Sequence, residues 1–269
     1  MEKIALFRRK VYRFFKQEGR ILPWRTDYNA YYVLVSEIML QQTQVNRVVD
    51  KFDRFIKFFP SITILAESSL EEVLKAWQGL GYNRRANLLR KAAKRIVDEF
   101  DGVIPDDPAV LVTLPGIGSA TAASIAAFAY NKPTVFLETN IRTVFIHHFF
   151  RGCTSISDEK ILAVAQNALD RKNPRKWYSA LMDYGTTLKT QYGNLTRKST
   201  AYKKQSRFQG SKRQLRGMIL KEMISAGGGT AARIAASVDR DAQSVALQLE
   251  ALTADGLLVK NRGRYRIAK

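Results

Sequence analysis

Leu114-Pro115-Gly116-Ile117-Gly118, followed by the small-residue run Ser119 to Ala129, is the stretch whose reading decides the fold. Leu111 and Val112 end one helix, and the two glycines permit a tight reversal and a close approach of backbone to a ligand. Ala120 to Ala127 predict a second helix that packs tightly. The amides at its start face outward, where a phosphate oxygen can accept from them. A Pro-Gly turn between two helices is also common without any ligand, so a plain helical turn stays open on this stretch alone.

Outward from this turn, the chain from Met1 to about Thr187 carries apolar residues at three- and four-residue spacing. Examples are Val33, Leu34, Ile38 and Val45, then Val73, Leu74 and Trp77, then Leu88, Ala92 and Ile96. Breaks fall at Pro60, at Gly79 and Gly81, at Pro105 to Pro108 and at Lys132-Pro133. Many short helices joined by tight turns are expected, an all-α domain. Met1 to Lys16 reads as a helix and not as a signal peptide, since it lacks a long apolar stretch before a small-residue site.

Beyond Thr187 the composition changes. From there to Arg216 the chain has nine Lys and Arg and no acid, with Tyr192, Tyr202 and Phe208 interleaved. This reads as a basic connector lying along a polyanion, or as a solvated linker. From Lys212 to Lys269 helices are expected at Gln214 to Ile224, Thr230 to Val238 and Asp241 to Ala254. A β-hairpin follows, with Leu257 to Val259 and Tyr265 to Ile267 flanking a turn around Asn261 to Gly263. That order resembles a winged helix, whose third helix commonly enters the major groove; a unit used only for protein contacts is the alternative. Gly227 to Gly229 reads as a flexible loop.

Lys and Arg number 44 against 24 acids, a net charge of +20, which points to a nucleic-acid partner. A merely solvated surface is the blander reading. No apolar run approaches the roughly 20 residues of a membrane span. The single cysteine, Cys153, excludes a disulfide framework and any centre needing several thiolates, and fits a reducing cytoplasm. Cys153 reads as a small buried hydrophobe, and His147-His148 as structural histidines without a partner at metal-ligand spacing.

Ser36-Glu37-Ile-Met-Leu-Gln-Gln-Thr-Gln-Val45 is the second informative stretch. Glu37, Gln41 and Gln44 stand at i, i+4 and i+7, one stripe of a continuous helix. A lone carboxylate among amides and apolar groups has its pKa raised and suits a general acid. By spacing alone, a satisfied structural glutamate is the favoured reading.

These stretches, with Leu22-Pro-Trp-Arg25, Trp77-Gln-Gly-Leu-Gly-Tyr82 and Leu181-Met-Asp-Tyr-Gly185, resemble the MutY-like, adenine-specific mismatch branch of the helix-hairpin-helix glycosylase superfamily. The likeness covers about the first 190 residues, and the run Glu37 to Val45 is highly specific for that branch. It implies a helix-hairpin-helix glycosylase fold of two helical subdomains over 1–189, a module at about 27–133 and a second from 1–26 and 134–189. A basic linker at 190–211 and a winged-helix-like α+β domain at 212–269 follow.

The resemblance also implies roles. Glu37 matches the acid that protonates adenine N7. Gln42 matches a wedge beside the extruded base, and Tyr82 an intercalating tyrosine near the opposing guanine. Trp24, Arg25, Leu40 and Val45 match the adenine pocket. Gln41 lies on the Glu37 stripe, and Gly116 and Gly118 form the hairpin that holds DNA phosphate. An alkali ion at the hairpin carbonyls goes with the same resemblance. Double-stranded DNA carrying a mismatched or damaged base is the expected partner, and a monomer in the nucleoid-bearing cytoplasm the expected state.

Breaking an N-glycosidic bond calls for an acid on the base and a carboxylate near the cationic sugar. The second carboxylate is expected at Glu138, where the family has Asp. Three further departures stand out. Ala120 replaces the Schiff-base lysine of bifunctional relatives, so base removal without lysine-dependent strand cleavage is expected. The four cysteines of the family's iron–sulfur cluster are missing, so no cluster is expected. The winged-helix-like unit stands where the family has a domain that helps recognise 8-oxoguanine. A thymine or uracil mismatch glycosylase and a non-catalytic DNA-binding protein are therefore the competing readings. Asp183 reads as a residue that caps or orients a helix.

Overall fold

A computed structural model describes residues 2–205 and 207–269; Met1, the first residue of the expected N-terminal helix, lies outside them. Among the described residues the order is α1 (Glu2–Glu18), α2 (Ala30–Leu40), α3 (Val45–Phe58), α4 (Ile62–Glu67), α5 (Leu70–Trp77), α6 (Arg84–Phe100) and α7 (Pro108–Leu111). Then come α8 (Ser119–Tyr130), α9 (Thr139–Phe149), α10 (Asp158–Ala168) and α11 (Pro174–Tyr192). The C-terminal part holds α12 (Lys212–Ala226), β1 (Gly229–Thr230), α13 (Ala231–Val238), α14 (Ala242–Ala254), β2 (Leu258–Asn261) and β3 (Arg264–Ile267). Pro23–Arg25 and Leu195–Lys198 form single 3₁₀ turns. The expected all-α architecture with a small winged unit is what the chain adopts. No helix among the described residues is long and apolar enough to cross a membrane.

The chain divides into two compact units that interleave in sequence. One comprises Met1–Leu34, Asp106–Thr113 and Ile117–Lys204, the other Val35–Pro105, Leu114–Gly116 and Gln205–Lys269.

In the first unit α11 packs on α9, α8 and α1. Its core is aromatic. Phe7 meets Phe145, Phe149 and Trp177 with ring centroids 5.0–5.7 Å apart. Arg8 donates to the last carbonyls of α10, reaching Ala168 at 2.9 Å and Leu169 at 2.6 Å, where a cation meets the helix's negative end. His148, whose ring nitrogen lies 3.0 Å from the Tyr184 hydroxyl, is pushed down to about 4, first by burial and then by His147, Lys10 and Arg151.

The basic stretch after Thr187 is largely built into this unit. α11 runs to Tyr192, Thr196 and Ser199 are buried, and Ser199 Oγ donates to Asp158, which also takes a bidentate pair from Arg142 at 2.9 and 2.7 Å. Asp158 organises this stretch, a partner that a reading of local composition does not reveal. Cys153 is half-exposed and not the buried hydrophobe expected. It sits in the turn after α9, where little covers it.

In the second unit α6 is the axis, packed by α4 and α5. Trp77, Phe52 and Phe55 fill its core. α5 starts on a capping box, with Ser69 and Glu72 satisfying each other's backbone amides. The C-terminal winged unit belongs here. β3 is the centre of an antiparallel sheet ordered β1-β3-β2, with Gly229 opposite Tyr265 and Val259 opposite Arg266. Gly227 to Gly229 are therefore not a flexible loop. Gly227 closes α12 in the left-handed region, and Gly228, at φ +125, lies so close to the Tyr265 carbonyl that a Cβ would sit 2.5 Å from it. The unit is fastened to α6 through Asn87, which donates to the Gly256 carbonyl at 3.1 Å, and through Asp255, paired with Arg84 at 3.5 Å; Arg216 of α12 holds the same carboxylate from within the unit.

The expected continuous helix through Glu37, Gln41 and Gln44 does not form. α2 stops at Leu40, and Gln42 is left-handed at φ +56. The cause is Arg85, buried at 8% exposure. Its NH1 donates to the carbonyls of Ile38 (2.7 Å), Met39 (2.8 Å) and Gln41 (2.6 Å), the acceptors left over at the end of α2. NH2 reaches Thr43 Oγ1 at 3.0 Å and the Gly81 carbonyl at 3.1 Å. Burial lowers the Arg85 pKa to about 10, so the group stays charged at neutral pH.

Replacing Arg85 by Ala leaves these carbonyls unsatisfied, and a loss of about 3–5 kcal/mol in a denaturant titration is expected. Arg85→Lys recovers little of it, since a single ammonium cannot span the same fork. His148 carries a second expectation. The unfolded chain binds a proton at the ordinary 6.5, while native His148 refuses it until about 4, so stability falls as pH drops across that interval. Melting temperatures taken against pH should decline less steeply there in His148→Gln.

Candidate active site

In the second unit, the end of α2 carries most of the expected residues. Glu37 is half-buried between buried Ser36 and Ile38, three residues before the helix stops. Leu40 and Val45 are half-buried on either side of the turn, and Gln42 projects at its tip, exposed. A residue held at positive φ on a tight turn carries its side chain out of the helical path, as a wedge requires. Gln41 points the other way, its amide donating to the Gly116 carbonyl at 3.3 Å, which joins the end of α2 to the hairpin.

Gly116 is required there. Its φ is +81, and a Cβ would lie 2.8 Å from that of Leu88. Gly118 has open space around it and, as the N-cap of α8, offers no side chain to the amides of the first turn, where Ser119 and Ala120 are exposed. An uncapped, exposed helix start accepts an anion.

Tyr82 follows Gly81 in the loop before α6, with φ +48 and a half-exposed ring. Two guanidiniums, Arg85 and Arg213, each lie 5.4 Å from its centroid. Arg85 thus joins the Glu37 turn to the Tyr82 loop. The sequence reading missed this residue, although Arg85 stands in phase with Leu88, Leu89, Ala92 and Ile96, on the apolar face of α6.

The first unit holds the remaining expected residues. Trp24 is buried in the 3₁₀ turn, and Arg25 is held by Asp183, with NH1 at 3.0 Å from Oδ2 and NH2 at 3.2 Å from Oδ1. Arg20 occupies the same carboxylate with NH2 at 2.7 Å, Nε at 2.9 Å and its backbone amide at 2.8 Å. Asp183 is 2% exposed, so its expected orienting role has a definite form: it locks the segment carrying Trp24 and Arg25 onto α11. Two residues on, Gly185 lets α11 pass the start of α9, where a Cβ would sit 2.3 Å from the Asn140 carbonyl.

That start of α9 is Glu138. Its Oε1 accepts from the amides of Asn140 (2.6 Å) and Ile141 (2.9 Å), making it the N-cap of the helix. Desolvation raises its pKa, and the two amides and Arg142 pull the other way. Both bonds use one oxygen. Glu138 is thus a carboxyl group fixed by backbone at the positive end of a helix, where burial favours its neutral form and the amides favour its charged form.

The iron–sulfur cluster that the resemblance would bring takes four thiolates. One cysteine does not fit that donor set. An alkali ion at the hairpin would have to share the Gly116 carbonyl with the Gln41 amide.

Comparison with known proteins fixes the class. Residues 35–169 match the HhH-GPD superfamily base excision DNA repair protein family, and the chain belongs to that family. The chain is 36% identical over 185 residues to an adenine DNA glycosylase of Buchnera aphidicola subsp. Baizongia pistaciae, covering 68% of this chain and 53% of that one. It is 34% identical over 200 residues to the Homo sapiens adenine DNA glycosylase, covering 70% and 37%. The chain thus spans about half the length, or less, of these relatives. A solved thermostable thymine-DNA glycosylase superposes with a TM-score of 0.63 at 21% identity, over 75% of this chain and 97% of that chain, a likeness of fold.

Glu138→Gln preserves the amide-accepting oxygen and removes a buried acid. Its melting temperature at neutral pH should match or exceed that of the parent. Glu138→Ala, which removes the cap, should instead cost about 1 kcal/mol of stability.

Proposed function

We propose that the chain is a monofunctional DNA glycosylase of base excision repair that hydrolyses the N-glycosidic bond of adenine mispaired with guanine or 8-oxoguanine. The observation that carries the proposal is Glu37. It is a half-buried carboxylate inside the family-matched residues, at the end of a helix whose last turn is pinned by Arg85. The relatives named adenine DNA glycosylase supply the substrate.

In this reading the target adenine leaves the stack, since its glycosidic bond is not accessible in the duplex. Gln42 fills the space beside it, Tyr82 stacks near the opposing base, and Leu40 and Val45 contact the extruded base; the family likeness gives Trp24 and Arg25 a base-binding role as well. Glu37 protonates N7, which turns adenine into a neutral leaving group. Glu138 faces the developing positive charge on the sugar or orients the attacking water. Its extra methylene relative to Asp matters because a displacement of about an ångström can cost a hundredfold in rate. The uncapped start of α8 beyond Gly116 and Gly118 takes a DNA phosphate. Ala120 carries no amine, so no Schiff base forms there and the product is an intact strand with an abasic site.

We assign the glycosylase domain to 1–189, extended by the basic residues that pack against it through Ser199, and the winged-helix-like unit to 212–269. The protein works as a cluster-free monomer on chromosomal DNA in the cytoplasm.

The test is base release from duplexes holding A opposite G, A opposite 8-oxoguanine, T opposite G or U opposite G, followed by alkali. Alkali-dependent cleavage at adenine, lost in Glu37→Gln, is the expected outcome. Cleavage only at T or U would transfer the mechanism to a different base. Binding without cleavage on every duplex would make the chain a recognition protein.

A further inference from the structure

The winged unit is not equipped to enter a DNA groove with its third helix. α14 has no Lys or Arg in its 13 residues, and its exposed positions include Gln243, Ser244, Leu247 and Glu250. Asp241 caps its start and Asp255 its end. A helix bounded by carboxylates repels phosphates flanking the major groove. The cations of this part of the chain lie instead on the strands and turn of the wing (Lys260, Arg262, Arg264, Arg266) and in the first turns of α12 (Lys212, Arg213, Arg216), with single ones at Lys221, Arg233 and Arg240.

The start of α12 and the residues before it meet Tyr82. Arg213 NH1 donates to the Tyr82 hydroxyl at 2.9 Å, and Gln205 Nε2 donates to the same oxygen. The Arg213 guanidinium lies near the Tyr82 ring as well as 6.0 Å from that of Phe208. The bonds from Asn87 to Gly256 and from Arg84 to Asp255 fix the same unit on α6, the helix that begins two residues after Tyr82. A half-exposed tyrosine at a strained φ, set among cations, is a stacking surface for a nucleobase.

We infer that Arg213 is a positioning residue for Tyr82, and that through it the C-terminal unit holds the tyrosine ring in the orientation that stacks in the duplex. This rests on the proposed placement of Tyr82 in DNA. The hydroxyl is the handle: two donors from the C-terminal segment set the rotation of the ring, while Arg85 supports it from the catalytic module. The unit thus acts on base extrusion through a contact with a neighbouring side chain and not through sequence reading by α14.

The experiment uses the full chain and its variants Arg213→Ala, Arg213→Lys, Tyr82→Phe and the double variant Arg213→Ala with Tyr82→Phe, each checked for an unaltered melting temperature. Two readouts are taken on a duplex with 2-aminopurine beside the mismatch: the fluorescence rise on binding, which reports unstacking, and the single-turnover rate of base release. Arg213→Ala and Tyr82→Phe are each expected to lower both by about tenfold. The double variant should be no worse than either, and Arg213→Lys, which keeps one donor, should recover part of the loss. If Arg213→Ala weakens binding to matched and mismatched duplexes alike and leaves the fluorescence rise intact, Arg213 is only a phosphate contact and the inference fails. It fails equally if the two single effects multiply in the double variant. Should Arg213→Ala not fold, the comparison of Tyr82→Phe with Arg213→Lys decides in its place. If the parent protein releases no base at all, the proposed activity falls, while the fluorescence comparison still decides the role of Arg213.

Discussion

A guanidinium buried without a carboxylate beside it must find its acceptors in the backbone, and Arg85 finds them at the end of α2. The carbonyls of Ile38, Met39 and Gln41 converge on one nitrogen, and those of the loop before α6 on the other. Carbonyls at a helix end are partially negative and unpaired, so a cation there is stabilised twice over, by hydrogen bonds and by the helix dipole. The consequence is local and specific. α2 ends three residues after Glu37, Gln42 is turned outward at positive φ, and the Tyr82 loop is tied to the same cation. Three candidate functional residues owe their relative placement to one side chain that touches no substrate in the proposed mechanism.

The first unit solves the corresponding problem with a buried carboxylate. Asp183 is almost fully enclosed and is matched by two arginines, Arg20 and Arg25, which between them bring five nitrogen donors to it. A buried acid is tolerable only when so compensated. Gly185, one half-turn further, is small because the start of α9 passes against it, and that start is where Glu138 accepts its two amides. One short motif on α11 therefore sets both the Trp24–Arg25 turn and the helix that carries the second carboxylate.

Legibility differed by kind of signal. The helical periods, the hairpin glycines and the wing were readable because each is local: spacing, turn residues and caps act over a few positions. The continuous stripe from Glu37 to Gln44 failed because the agent that breaks it lies more than forty residues away, although Arg85 sits in phase with the apolar face of α6 and so signalled its own burial. The basic stretch after Thr187 looked like a connector because composition registers charge and not partners. Ser199 and its acceptor Asp158 are 41 residues apart. Gly227 to Gly229 looked flexible for the same reason, since the strand that receives Gly229 begins at Arg264.

By itself the sequence determined the helical class, the strongly basic charge, the presence of a single cysteine, and the acid-bearing segment Glu37 to Val45. These are properties of composition and short-range spacing, which no folding partner can alter. Only the tertiary structure decided where α2 ends, that Glu138 is a desolvated helix cap, that Asp183 is an anchor for two arginines, and that Arg213 from the C-terminal unit reaches the Tyr82 hydroxyl. Each of these depends on contacts between residues distant in the chain. Burial and the pairing of charges, which set those contacts, are properties of the folded whole.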